Sequence, residues 1–310
     1  MLRIGFCGSG HFAALCLKQL SAGCKISWVI TNTPRPAGRG MQLHKTEVNM
    51  AADELEIPCR TTDRLSADTE SNEWIKSSSP DLIFVIDFGH MIKEPLLSLP
   101  KYGCINLHPS KLPRYRGSAP LQRSIMDGCS ETAVSIFKLD KGMDSGELLA
   151  QPEVTIADDD TYETLLEKCV TVGCAEMLHL LNQVGAENWK FTRQTEEGAS
   201  LAPKLEKAEG RLDWTKPAFC CNCLIRAIAS SPGVFCFSGG KRIRVFKAEV
   251  IKSGSFALPG VITDIQNGFP TVACGENSLK LEVVQPEGKR QQSAADWLRG
   301  ARLNIGDRLE

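Results

Sequence analysis

The chain predicts an α/β fold followed by a second, β-rich domain. Three observations carry that prediction. Short apolar runs alternate with amphipathic stretches through the first half; a polar, weakly periodic bridge lies near residue 200; strand-like runs divided by Gly, Pro and Asn follow it. Parallel neighbours need a long crossover, and a helix is the usual one, so the alternation implies a doubly wound, mostly parallel sheet.

The first strand is read at Leu2 to Phe6, with a helix from about His11 to Ser21 behind it. A second strand, Ile26 to Thr31, leads through a loop to a helix near Glu47 to Leu55. Asp81 to Ile86 follows, with another short helix, then Cys104 to Leu107, a loop, a helix near Pro120 to Met126, and a strand at Ala133 to Leu139. From about Tyr162 to Gln183 the residues Leu165, Leu166, Cys169, Val172, Ala175, Met177, Leu180 and Leu181 recur at helical spacing, a stripe suited to packing on the sheet. The stretch 192–214 is polar, as expected where one domain hands over to another. We therefore divide the chain into a first domain, 1–191, a linker, 192–206, and a second domain, 207–310. Beyond the boundary one helix, Ala218 to Ala229, precedes strands at Val234 to Phe237, Arg242 to Val250, Gly260 to Ile265, Thr271 to Ala273 and Leu279 to Val284. Such spacing reads as a small, OB-like β-barrel.

Composition excludes several classes. At 310 residues, with 42% hydrophobic and 24% charged residues, the chain is an ordinary globular protein able to bury a sizeable core. Its longest apolar runs, such as LIFVI at 82–86, fall short of the ~20 residues a membrane span needs. The start, MLRIGFCG, reads as a strand and lacks the features of a secretory or transit peptide, so a cytoplasmic location is expected. Thirteen cysteines scattered through apolar contexts suit a reducing compartment. Cys220, Cys221 and Cys223, with Cys236 beyond, lack the paired C-x-x-C spacing of a zinc site; the expectation is a helix with buried thiols and no metal. Charge is uneven: residues 1–200 carry a net −6 and residues 201–310 a net +5. A basic final third is either a solvated surface or a face for a polyanion.

Gly8-Ser9-Gly10-His11-Phe12-Ala13 follows the first strand and opens the first helix, which matches the dinucleotide fingerprint. A nicotinamide enzyme would also need an acid at the end of strand two to hold the ribose, and Thr31, Asn32 and Thr33 stand there. The glycines are better read as serving a tight strand-to-helix turn.

A stronger constellation is the N-x-H pair Asn106 and His108 in INLHPSKLPRYRGSAP, with Asp144 in the turn DKGMDSG. A strand ending at Leu107 places both side chains on one side at the carboxyl edge of the sheet, where open α/β folds bind ligands. Pro109, Pro113, Pro120 and Gly117 shape the loop, and Gly142 and Gly146 allow a sharp turn that brings Asp144 back. An amide, an imidazole and a carboxylate suit acyl transfer to an amine: a donor for the developing oxyanion and a proton relay, with no evident Ser or Cys nucleophile.

These residues resemble the folate-dependent formyltransferases. The resemblance covers essentially the whole chain: NLHPSKLPRYRGSAPLQ with a downstream D-S-G, the loop Arg35-Pro-Ala-Gly-Arg39-Gly, RLDW at 211–214 and ALPGVI at 257–262. It implies a Rossmann-like formyltransferase domain and a barrel appendage, with Asn106, His108 and Asp144 as the catalytic set. It implies 10-formyltetrahydrofolate as co-substrate, which we place against Phe88, Gly89, Ser110, Lys111, Leu112 and Pro113. It also implies methionyl initiator tRNA as acceptor, held by Arg35, Arg39 and Lys45 and by the basic final third, with the protein acting as a monomer. Three positions depart from the family pattern. Asp87-Phe88-Gly89 replaces a small residue and Tyr before Gly, Lys111 replaces Leu, and Ser230-Ser231-Pro232-Gly233 replaces Asn-Pro-Trp-Pro. Two alternatives share part of the pattern: a relative formylating a sugar or nucleotide or hydrolysing formylfolate, and a nicotinamide-dependent oxidoreductase.

Overall fold

Seven strands build the first sheet: β1 (Ile4–Gly8), β2 (Ile26–Asn32), β3 (Cys59–Thr62), β4 (Leu82–Ile86), β5 (Cys104–His108), β6 (Ser135–Lys138) and β7 (Leu148–Ala150). The computed structural model describes residues 2–37, 42–184, 189–252 and 257–310. Strand order is β7-β6-β5-β4-β1-β2-β3, parallel from β5 through β3, with β6 antiparallel to β5 and β7 antiparallel to β6. Every residue of β1 and β4 is buried, as both-face coverage of a parallel strand demands. Helices α1 (His11–Gly23), α2 (Glu47–Glu54) and α3 (Thr69–Ser78) complete the crossovers, and α2 and α3 start on side-chain caps from Thr46 and Asp68. The chain leaves β1 toward β2 and β3, then returns to β4 on the other side of β1. That reversal opens a crevice at the carboxyl edge between β1 and β4.

Several sequence expectations are corrected. β3 and α3 were not anticipated, because CRTT is short and half polar and TESNEWIKSS buries only Ser71 and Ile75. No helix follows β4: residues 94–98 are turns that bury Leu96. The expected strand at Ala133 to Leu139 is two pieces. Glu131–Ala133 pairs with Glu153–Thr155 in a separate ladder, while β6 joins the main sheet. Helices α4 (Pro120–Met126) and α5 (Tyr162–Leu181) follow the prediction, yet on α5 Ala175 is exposed and Val170, Gly173 and Cys174 are buried instead.

Compactness divides the chain into two units. One comprises residues 1–120, 131–155 and 166–202, the other 121–130, 156–165 and 203–310. In the second, β8 (Val234–Ser238), β9 (Lys241–Ile251), β10 (Ile262–Gln266), β11 (Phe269–Ala273) and β12 (Ser278–Pro286) form an antiparallel sheet in the order β8-β9-β12-β11-β10. Residues 306–310 close it into a barrel. Leu309 N–H donates to Gly260, Ile262 N–H to Asp307, and Phe237 and Glu310 exchange backbone bonds at 2.7 and 2.9 Å. Helix α6 (Ala218–Ile228) packs on β9 with Cys221 and Cys223 buried, whereas Cys220 is exposed, against expectation. Helix α7 (Ala294–Ala301) buries Trp297 and Leu298. No helix among the described residues is long and apolar enough to cross a membrane.

Candidate active site

Asn106 and His108 sit two residues apart on β5, so the pleat sends both side chains to one face. Their lateral neighbours are Val85 on β4 and Phe137 on β6 for Asn106, and Ser135 on β6 for His108. His108 is buried. Its Nε2–H donates to the Tyr115 carbonyl at 3.0 Å, and since a carbonyl only accepts, that bond holds a proton on Nε2. Nδ1 is left facing Asp144, whose Oδ2 lies 3.8 Å away, an electrostatic contact too long for a hydrogen bond. Asp144 Oδ2 accepts the Gly117 N–H at 2.8 Å.

The turn bringing Asp144 here differs from the expected one. Asp144 itself takes the left-handed conformation, φ +52°, which Asp tolerates better than most residues. Gly142 and Gly146 do not; Gly146 is required for room, since a Cβ there would stand 1.7 Å from the Lys138 carbonyl. Gln194 then clamps the turn. Its Nε2 donates to the carbonyls of Asp144 and Gly146 at 2.9 and 2.8 Å, while its Oε1 accepts from the buried Arg116 at 2.9 Å.

The loop after His108 is held from beneath. Ser135 Oγ donates to the Ser110 carbonyl at 2.6 Å and accepts the Leu112 N–H at 3.1 Å, Gln151 donates to the Leu112 carbonyl at 2.9 Å, and Ser200 Oγ accepts the Tyr115 N–H at 2.9 Å. The hydroxyls of Ser110 and Ser135 both donate to carbonyls, that of Ser110 to Arg114 at 2.8 Å. The amide of Asn106 is different: its side-chain oxygen is buried and meets no donor among the described residues.

Residues placed against the folate fall into two groups. Phe88 and Gly89 follow β4 at the crevice, with the Phe88 ring 4.8 Å from that of His90 and open space around Gly89. Ser110 and Leu112 are buried and the backbone N–H and carbonyl of each already have partners, so in this group only the half-buried Lys111 and Pro113 are open to a ligand. Lys111 does not reach the crevice as a free cation; its Nζ pairs with Glu131 at 3.0 Å and Glu153 at 2.7 Å. Of the basic residues, Arg35 is exposed on a short strand, Arg35–Ala37, paired with Gln42–His44, rather than on a loop. Lys45 pairs with Asp53 at 2.6 Å. Arg39 lies outside the described residues. At the end of β2, Thr31 is buried and bonded to Thr46 at 2.7 Å, and Ser9 accepts the Asn32 N–H at 3.2 Å. Among the described residues no group of three or more His, Cys, Asp or Glu is set to hold a metal.

Gln194, Arg116, Ser135 and Ser200 were missed by sequence reasoning. Gln194 and Ser200 fall in the stretch read as linker, and nothing in its polar composition distinguishes a brace from a tether.

A Rossmann-like sheet edge with an amide, an imidazole and a carboxylate defines a group-transfer site. Residues 3–180 match the formyl transferase family and residues 204–302 its C-terminal domain, so the chain belongs to the formyltransferase family. Among its relatives is a methionyl-tRNA formyltransferase of Paracoccus denitrificans, 35% identical over 309 residues and 100% of both chains. Another, of Acidithiobacillus ferrooxidans, is 36% identical over 99% of this chain and 98% of its own. The fold is shared with WlaRD, a sugar 3N-formyl transferase (TM-score 0.66, 17% identity, 94% of this chain and 99% of that one). It is also shared with HypX from Aquifex aeolicus (TM-score 0.63, 18% identity, 99% of this chain and 48% of that one).

Proposed function

We propose that the chain transfers the formyl group of 10-formyltetrahydrofolate to the α-amino group of methionyl initiator tRNA. The observation that carries the chemistry is the unpaired Asn106 amide beside a His108 whose free nitrogen faces Asp144. The acceptor is supported by relatives of that name aligned from end to end, and by the exposed Arg35 on its short strand.

With the Ser110 and Ser135 hydroxyls donating to carbonyls, the amine attacks the formyl carbon directly. Asn106 donates through its amide nitrogen to the oxygen that becomes negative. His108, with Nε2–H held by Tyr115, exchanges protons through Nδ1, and the Asp144 carboxylate stabilises the imidazolium. We place the folate against Phe88, Gly89 and the segment 110–113, where Pro113 is the half-buried part that can meet it. Arg35, Arg39 and Lys45, and separately the basic residues of the second unit, supply the cations that would meet the tRNA backbone. We place the protein in the cytoplasm as a single subunit. The test is to incubate it with formylated folate and charged initiator tRNA and look for formylmethionyl-tRNA. Equal formylation of charged elongator tRNA would refute the choice of acceptor, and no formylation would refute the reading.

A further inference from the structure

Asp87 is the first residue past β4, and its backbone is left-handed, φ +44°, which is uncommon outside turns and functional positions. Its carbonyl accepts the Ser9 N–H at 3.1 Å, fixing it across the crevice between β1 and β4. The carboxylate rests on Gly10, where a Cβ would stand 1.9 Å from Oδ2. Gly10 has an ordinary φ of −83°, so its missing side chain makes room for the carboxylate rather than for the turn. Asp87 as a residue is exposed while its carboxyl is packed on Gly10, and no hydrogen-bond donor among the described residues reaches that carboxylate. Along the edge, β4 lies between β5, with Asn106 and His108, and the β1-β2 side that leads to Arg35. Asp87 thus ends the strand next to the one that carries the catalytic pair, two residues past Val85, which pairs with Asn106.

We infer that Asp87 receives the α-ammonium group of the acceptor and removes its proton, delivering a free amine to Asn106 and His108. The inference rests on the reading that the acceptor is an aminoacyl amine. One ammonium N–H bond breaks and one O–H bond forms on Asp87. The freed lone pair forms the new C–N bond to the formyl carbon; His108 takes the second proton from the attacking nitrogen and passes it to the folate nitrogen as the bond between the folate nitrogen and the formyl carbon breaks.

The acidity of Asp87 suits the task. Crowding by protein around the carboxyl, and then the charge of Glu47, push it up to about 6. The other titratable groups around it are His11 at the start of α1, paired with Glu47, and the buried Cys16, whose thiol the Asp87 charge helps to push up. A carboxylate near 4 is about four decades too weak a base for an α-ammonium near 8, whereas one near 6 is short by about two.

The experiment follows single-turnover formylation of methionyl initiator tRNA by the full chain, as kcat/KM from about pH 5.5 to about 9, for the native protein, Asp87→Asn and Gly10→Ala. The native rising limb is expected near pH 6. In Asp87→Asn it moves up toward pH 8, so the defect grows about tenfold per pH unit below that, reaches roughly 10²-fold near pH 6 and closes above about pH 8.5. Gly10→Ala, which displaces the carboxylate without removing it, moves the limb in the same direction by less. An Asp87→Asn profile that superimposes on or runs parallel to the native one overturns the inference, because a merely structural role lowers rate at every pH. A native protein that formylates no tRNA at any pH marks failure of the functional reading itself.

Discussion

Replacing Gln194 with Leu keeps the size of the side chain and removes the clamp on the Asp144 turn. Its two donated bonds, at 2.9 and 2.8 Å, hold the carbonyls of Asp144 and Gly146. Each net hydrogen bond contributes about 1 kcal/mol, so the observed turn loses about 2 kcal/mol of preference. The left-handed φ of Asp144 already works against that turn. At 1.4 kcal/mol per tenfold, up to about 30-fold fewer molecules hold Asp144 beside His108, and kcat should fall by about 10- to 30-fold. KM for the folate should change little, because the buried loop from Ser110 to Leu112 is held by Ser135 and Gln151 instead. Single-turnover formylation gives the rate, and a thermal melt gives stability, expected to drop by about 2–4 °C. Native kcat would refute the clamp. So would a collapse of Tm that accounts for the whole rate loss.

Asn106→Ala should lower kcat by ~10² to 10³, the usual cost of one oxyanion donor, with folate affinity nearly unchanged when measured by fluorescence titration. Arg35→Ala should raise KM for charged tRNA and flatten the salt dependence of binding by about one counterion, while slow hydrolysis of the formylated folate persists; a steady-state assay across salt concentrations decides it. The barrel unit carries a pH-dependent tie, Glu209 to Arg123, in which the Arg123 hydrogen bond holds the Glu209 carboxyl below its ordinary 4.5. A depressed carboxyl stabilises the fold above its unfolded value and ceases to as pH falls through the folded one. Glu209→Gln should therefore melt lower than the native protein at neutral pH and converge with it below about pH 4 in calorimetry.

Sequence made the strands of the central sheet legible where side chains alternate with helices, because burial on both faces leaves near-continuous apolar runs such as LIFVI. It also placed Asn106 and His108, since a two-residue pleat is a local rule. Elements held by edges or caps escaped: β3 buries only Thr62 fully, and α3 depends on Asp68 more than on an apolar stripe. Asp144 was legible as a residue but its turn was not, because the strain falls on the aspartate and the glycines serve close approach. Lys111 looked like a ligand contact by position, yet two acids brought near by a separate ladder claim it. Partners 20 and 42 residues away leave no trace in local pattern.

The stretch 192–202 bears on where the chain can be cut. Thr192 pairs with Leu148, Gln194 clamps Asp144, Ser200 holds Tyr115, and Ala202 accepts the N–H groups of Ser118 and Ala119. A catalytic domain excised at residue 191 would leave these groups unpaired and deliver an inactive fragment whose defect mimics loss of the barrel. Excised after Ala202, the same domain would keep its braces, and any deficit it then shows belongs to the missing residues beyond.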